Sequence, residues 1–126
     1  MKLAIFFSGL AGLSAVVLGA VTSHLGPDSF SVQQIAWMDT AIKYQIWHGV
    51  ALLGIACLSE IYDSRLLRIA GFLFIIGIIL FSGSLYLLAL TGITALGMAT
   101  PFGGSCFILG WALCCISSFK ISSSKR

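Results

Sequence analysis

Charged residues are scarce in this sequence. Of its 126 residues only 9% are charged and 59% are hydrophobic, and the mean hydropathy is +1.06. A typical soluble domain carries about 25% charged residues, so this chain lacks the means to coat a water-facing surface. The hydrophobic content also excludes a disordered chain, and a dispersed net charge of +3 excludes a nucleic-acid partner. An integral membrane protein remains.

Recognisable catalytic and metal-binding motifs are also missing. The sequence has no Ser-His-Asp set, no paired catalytic carboxylates, no phosphate-cradling glycine loop and no Cys-x-x-Cys pair. We therefore predict that the protein is not an enzyme and that it holds no cofactor and no metal. The alternative of a haem held by its only two histidines, His24 and His48, stays open. The cysteines lie in apolar stretches and are interpreted as small packing residues: Cys57, Cys106, Cys114 and Cys115.

Long apolar runs are what the sequence does contain. A membrane-spanning helix needs about 20 mostly apolar residues, and four stretches qualify. The first is longer than the roughly 7–15-residue apolar core of a signal peptide, so we expect it to be retained as a helix. Residues 1–126 then form a single integral membrane domain. Its spans cover about residues 3–23, 41–61, 69–90 and 102–119.

The segments between the runs carry helix-end signals. Gly26-Pro27 is expected to stop the first helix, and Ser31 with Gln34 resembles a capping box. Thr91-Gly92 is expected to end the third span, and Thr100-Pro101 to cap and begin the fourth. Between spans 1 and 2 we predict a short outer-surface helix that lies in the headgroup region and either bends or runs directly into span 2. The predicted fold class is an all-α membrane protein, a four-transmembrane-helix bundle with this short helix.

The basic residues predict the orientation of the chain. Six of the seven fall at three places that four spans put on one side of the membrane, and only Lys43 falls on the other. The positive-inside rule then places both termini in the cytoplasm and suits a multi-pass protein of the bacterial inner (plasma) membrane. The six are Lys2, Arg65, Arg68, Lys120, Lys125 and Arg126.

Small residues recur at intervals of four in spans 1 and 4. Such stripes let membrane helices approach closely, so we interpret both as packing seams, with a ligand groove as the alternative. The stripe of span 1 is Ala11, Ala15, Gly19 and Ser23, and that of span 4 is Cys106, Gly110, Cys114 and Ser118.

Polar residues within the spans concentrate toward the predicted outer side. Asp39 and Lys43 have the favourable order for an ion pair four residues apart, and His48 is placed at the hydrocarbon edge. We expect Gln45 and His48 to hydrogen-bond to serine or tyrosine residues of span 3 and fix the bundle. A site for a small polar ligand or lipid headgroup, and a proton or ion path, stay open. The candidate polar cluster is His24, Lys43, Gln45, His48, Ser82, Ser84 and Tyr86.

Three stretches of the chain resemble a known family, the domain of unknown function 423. This family of small four-span membrane proteins includes bacterial inner-membrane proteins and a eukaryotic transmembrane relative. The resemblance covers nearly the whole chain and implies a four-helix inner-membrane protein with no established activity. It is carried by Gly19-Ala20 with His24, by Tyr44-Gln45-Ile46-Trp47-His48, and by Phe81-Ser82-Gly83-Ser84-Leu85-Tyr86 continuing to Thr100-Pro101-Phe102-Gly103-Gly104.

Two functions are therefore weighed. The first is a non-enzymatic membrane protein that acts in scaffolding, assembly or support of a membrane complex or its lipid surroundings. The alternative is an oligomeric transporter of a small molecule or ion that uses the outer polar cluster. The expected partners are the lipid bilayer and either another membrane protein or further copies of this chain.

Overall fold

Four helical spans make up the computed structural model, which describes residues 2–120. No strand occurs in this range, and the third span changes from α- to π-helix and back without a break. The four-span prediction is confirmed, while Lys125 and Arg126 lie outside the described residues. The elements are α1 (Lys2–Ser29), α2 (Val32–Ile61), α3 (Arg65–Gly77), a π-helix (Ile78–Ser82), α4 (Gly83–Thr91), a 3₁₀ helix (Thr94–Ala99) and α5 (Thr100–Lys120).

The helices pack in the order α1, α2, third span, α5. Helix α1 packs mainly on α2, and the third span packs both on α2 and on α5. Large hydrophobic side chains such as Phe6, Val16 and Phe102 are exposed, as expected for surfaces that face lipid. One end of the bundle, which we call the basic end, carries Lys2, the α2–α3 connection and Lys120.

Helix α2 begins earlier than span 2 was expected to. Residues 32–40 are helical, but they are continuous with the rest of the 30-residue α2, so a separate surface helix is wrong and the direct continuation is confirmed. The predicted capping box is confirmed: the Gln34 backbone N–H donates to Ser31 Oγ at 3.2 Å, and the Ser31 N–H donates to Gln34 Oε1 at 2.9 Å.

The other predicted helix ends differ in detail. Helix α1 runs through Pro27 to Ser29; in the last turn, proline removes only one backbone hydrogen bond, which the helix tolerates. Gly92 ends α4 as predicted. It has the left-handed conformation, with φ +70°, and its N–H donates to Leu88 O at 2.9 Å. Thr100 has helical backbone angles and is therefore not a cap, because the preceding 3₁₀ helix leads directly into α5.

The predicted stripe on α1 is half right. Ala11 and Ala15 are buried, but Gly19 has open space beside it and Ser23 is exposed. Positions four apart advance by about 400°, so a strict stripe drifts about 40° per step around the helix. The buried face instead continues through Thr22.

Helix α5 shows the same drift. Gly110 of its predicted stripe is buried, Cys106 and Cys114 are half-buried, and Ser118 is exposed. The face that packs on the third span alternates steps of four and three residues, which keeps it on one side of the helix. Its buried members are Gly103, Phe107, Gly110 and Ser117.

Phenylalanine residues pack closely against glycines between the third span and α5. A Cβ built on Gly110 would lie 2.5 Å from a ring carbon of Phe74, and one on Gly103 would lie 2.8 Å from the Phe81 Cα. Glycine at these positions lets the two helices approach closely. The three contacts join Gly77 to Phe107, Gly103 to Phe81 and Gly110 to Phe74.

Candidate functional site

His48 lies in the middle of the bundle. It comes 16 residues after the start of α2 and 13 before its end, about 24 Å and 20 Å along the axis, and is 6% exposed. The outer hydrocarbon edge was predicted for His48 from a span that begins at residue 41; α2 begins nine residues earlier, so His48 lies near the middle of the helix.

Aromatic rings enclose the His48 imidazole. It stacks on Phe107, with ring centroids 3.5 Å apart and planes 11° apart, and meets Phe74 edge-on at 5.3 Å. This packing joins α2 to α5 and to the third span through side chains. We call this group the aromatic cluster: Tyr44, Phe74, Phe81, Phe107 and Trp111.

Both nitrogens of the His48 ring have partners. Nδ1 lies 2.7 Å from the Tyr44 carbonyl oxygen, and Trp111 Nε1 donates to Nε2 at 3.2 Å. A carbonyl only accepts and an indole N–H only donates, so the two contacts together select the neutral Nδ1–H tautomer. Both ring nitrogens are therefore occupied by hydrogen bonds within the protein, and neither is left for a ligand.

Gln45, three residues before His48, joins α2 to α1. Its Nε2 donates to Ala11 O and to Ser14 Oγ, both at 2.8 Å. Ser8 Oγ donates in the reverse direction, to Gly49 O at 2.8 Å. These bonds cross the α1–α2 seam where the backbones come close, and they satisfy polar groups that lipid would leave unpaired.

The two serines of the third span bond to different helices. Ser82, fully buried at the end of the π-helix, donates to Ala41 O of α2 at 2.8 Å. Ser84 Oγ lies 2.7 Å from Thr100 Oγ1 at the start of α5. The third span is thus held to both of its neighbours near the end opposite the basic end.

The predicted polar cluster is therefore not one site. The expected hydrogen bonds from Gln45 and His48 to the serines or tyrosine of span 3 are wrong, since both side chains have other partners. His24 and Lys43 are exposed, and within residues 2–120 Asp39 and Lys43 form no ion pair. The interior polar groups are spread over several helix seams.

The two histidines do not meet. Thr22 Oγ1 lies 3.5 Å from Met38 Sδ, which puts His24 near a level of α2 about ten residues, or about 15 Å, from His48. With Nε2 of His48 engaged by Trp111, the pair is not placed as two axial haem ligands. Across residues 2–120, no three His, Cys, Asp or Glu side chains converge as metal ligands. The four cysteines are free thiols.

Several partners of the polar residues were missed in the sequence. His48 is surrounded by Trp111, Phe107 and Phe74. Ser14 Oγ accepts a hydrogen bond from Gln45. Trp111 carried one available signal, because its indole N–H is a donor within a membrane span and needs an acceptor. Nothing in the spacing connects it to a histidine 63 residues earlier.

Tyr86 is the remaining member of the predicted cluster. Its hydroxyl is buried and has no hydrogen-bond partner in the described part of the chain, while its ring packs against the group formed by Ala41, Leu85 and Leu88. A buried polar group without a partner costs about 1–3 kcal/mol.

We predict that Tyr86→Phe raises the free energy of unfolding by about 1 kcal/mol, because it removes an unpaired hydroxyl and keeps the ring. Unfolding in mild detergent by SDS titration measures this. Tyr86→Ala is the control, and it is expected to lower stability because the ring is lost. A lower stability of Tyr86→Phe would contradict the prediction and indicate a bonded hydroxyl.

Comparison with known proteins places the chain in a family. The family model described as "Protein of unknown function (DUF423)" matches residues 18–104. The chain is 42% identical over 122 residues to the UPF0382 membrane protein SAB0533 of Staphylococcus aureus, covering 97% of this chain and 99% of the relative. It is 38% identical over 114 residues to the UPF0382 membrane protein of Haemophilus influenzae, covering 90% and 91% of the two chains.

A third relative has a more specific name. The chain is 32% identical over 117 residues to the UPF0382 inner membrane protein YgdD of Escherichia coli, covering 93% of this chain and 89% of the relative. No solved structure matches. The matched region contains α2, the third span, the polar seams around them and the start of α5, which agrees with the resemblance noted in the sequence. The chain belongs to the DUF423 family of small membrane proteins.

Proposed function

We propose that this protein is a non-enzymatic component of the bacterial inner membrane that acts in assembly or support of a membrane complex or of its lipid surroundings. One observation carries the proposal: four of the buried polar side chains are engaged in bonds between helices. His48, Gln45, Ser82 and Ser84 each bond to another helix. Side chains used in this way stabilise the bundle and are not directed at a substrate.

The lipid-facing surface of the bundle supports a role in association with another membrane protein. Exposed apolar side chains line the faces of α1 and α5 that point away from the bundle, including Leu13 on α1 and Ile108 on α5. Gly9 and Gly12 on α1 have open space beside them, so another helix can approach the backbone there. Another membrane protein or a second copy of this chain is the expected neighbour.

Transport receives less support from the geometry. A path for an ion or polar solute needs polar groups that face a common space. The interior polar groups instead bond across separate seams, and Lys43 and His24 lie on the surface. A multimer would have to form such a path from surfaces that are mostly apolar.

The proposed orientation places the basic end, and with it both termini, in the cytoplasm. Of the basic residues in the described chain, Lys2, Arg65, Arg68 and Lys120 belong to this end and Lys43 to the opposite half. Fusions to either terminus are expected to give fluorescence with green fluorescent protein and no activity with alkaline phosphatase. A fusion that gives active phosphatase would contradict this orientation.

Crosslinking in intact membranes, followed by mild extraction, tests the assembly role. A photoreactive residue at Gly12, on the lipid-facing side of α1, is expected to give a discrete adduct with one other protein or with a second copy of this chain. A photoreactive residue at Ala11, buried in the α1–α2 seam, is the matched control and should crosslink only within the chain. If Gly12 yields only lipid adducts and no protein co-purifies, the assembly role fails.

A further inference from the structure

A cavity of about 310 Å³ lies at the basic end between α1, α2 and α3. It is separate from the aromatic cluster and from the polar seams. Small side chains leave this space open: Ala4, Ala56 and Gly71 line it from the three helices. Its volume is at the lower limit of ligand pockets, which measure about 300–1,000 Å³. A space of this size fits a lipid headgroup and the first part of one acyl chain.

The cavity is polar at one end and apolar at the other. Glu60 and Arg68 line it at the helix ends, and Ile75 lies seven residues further along α3, about 10 Å deeper. Ile55 lines the corresponding depth on α2. A ligand that matches this lining has a charged group at the membrane surface and a hydrocarbon segment below it.

The cavity opens sideways toward the bilayer. Leu3 on α1 and Phe72 on α3 line it and are themselves 49% and 56% exposed. A molecule can therefore enter from the membrane between α1 and α3. The basic end is expected to lie at headgroup level, because the charged residues of the α2–α3 connection and of the adjoining helix ends collect there.

The charges of the lining select the headgroup. One carboxylate, Glu60, and one guanidinium, Arg68, contribute opposite charges. Arg68 Nη1 bonds to Asp63 Oδ1 at 2.6 Å, which holds the side chain, and a guanidinium has further N–H donors for a phosphate. Ser59 and Ser64 add hydroxyls to the lining. A zwitterion with a phosphate and an amine complements this arrangement.

We propose that the cavity binds one phospholipid whose zwitterionic headgroup ends in a primary amine. The phosphate pairs with Arg68, the ammonium donates to Glu60, and the upper part of an acyl chain lies against Ile55 and Ile75. This inference rests on the lipid-supporting part of the proposed function and names the class of lipid.

Native mass spectrometry of the full chain, with added lipids, tests the proposal. Phosphatidylethanolamine, phosphatidylcholine and phosphatidylglycerol with identical chains are the probes. We expect one phosphatidylethanolamine per chain, bound at least fivefold more tightly than phosphatidylcholine, whose quaternary amine cannot donate to Glu60. Glu60→Gln should remove this preference, and Arg68→Gln should weaken both zwitterionic lipids about equally.

Two matched pairs separate a site from general lipid contact. Arg65→Gln changes a neighbouring exposed arginine outside the cavity lining and should leave binding unchanged. Ala4→Leu fills the cavity from α1 and should abolish the bound lipid, while Ala20→Leu on the exposed part of α1 should not. Equal binding of the two zwitterionic lipids, or binding unaffected by Glu60→Gln and Ala4→Leu, overturns the proposal. A protein adduct that persists at Gly12 in that case leaves the assembly role standing.

Discussion

Gly103→Ala is expected to lower the free energy of unfolding by about 1–3 kcal/mol, the range for overpacking a tight interface. The new methyl group would lie 2.8 Å from the Phe81 Cα. This obstacle is backbone in the π-helical segment and cannot rotate away as a flexible side chain could. The two helices must separate to make room, and the neighbouring ring–glycine contacts loosen with them.

Gly104→Ala is the matched control for this substitution. It adds the same methyl group one position along the same helix, where the nearest atoms are Phe81 ring carbons at 3.8 Å, an ordinary contact distance. We expect it to leave stability unchanged or slightly higher, since alanine favours helix over glycine. SDS titration of both variants measures the difference. Equal effects of the two would contradict the close approach of α5 to the third span.

His48→Ala is expected to lower the free energy of unfolding by roughly 2–4 kcal/mol, as large-to-small substitutions in cores do. Removal of the ring leaves a space beside the Phe107 face and the Phe74 edge, and it deprives the Trp111 N–H of its acceptor. The loss should appear whether or not a ligand is present, because the packing partners belong to the protein.

Trp47→Ala provides the comparison for His48→Ala. Trp47 is the adjacent residue on α2 and is 66% exposed, so its truncation removes a larger side chain from a surface that faces lipid. We expect a change of less than about 0.5 kcal/mol, typical of substitutions away from packed features. A stable His48→Ala protein that has lost a cellular phenotype would indicate a functional site at His48.

The architecture was predictable because apolar length and helix-end chemistry are local. Four runs long enough to span a membrane, the Ser31 capping box and the Gly92 helix end each depend on a few adjacent residues. The errors arose where a local signal was outweighed. Pro27 does not stop α1 because the last turn tolerates its missing N–H, and α2 continues through residues that were expected to form a surface helix.

The interior was less predictable because pairing between helices depends on rotation and depth. Gln45 and His48 are only three residues apart, yet one bonds to α1 and the other to α5. Because α2 begins nine residues earlier than expected, His48 lies near the middle of its helix instead of in the first turns. The spacing of Phe74, Gly77 and Phe81 against Gly103, Phe107 and Gly110 was visible in the sequence, but its meaning needs the register of the two helices.

A double-mutant cycle on His48 and Trp111 measures whether interior polar groups hold the helices together. Unfolding free energies are measured for His48→Phe, Trp111→Phe and the double variant, which keep an aromatic ring at both positions. Interhelical hydrogen bonds in membrane proteins contribute about 0.6 kcal/mol on average and up to about 1.7. We predict a coupling of roughly 0.5–2 kcal/mol in favour of the pair. Additivity within about 0.3 kcal/mol would show that the His48–Trp111 bond does not hold α2 to α5.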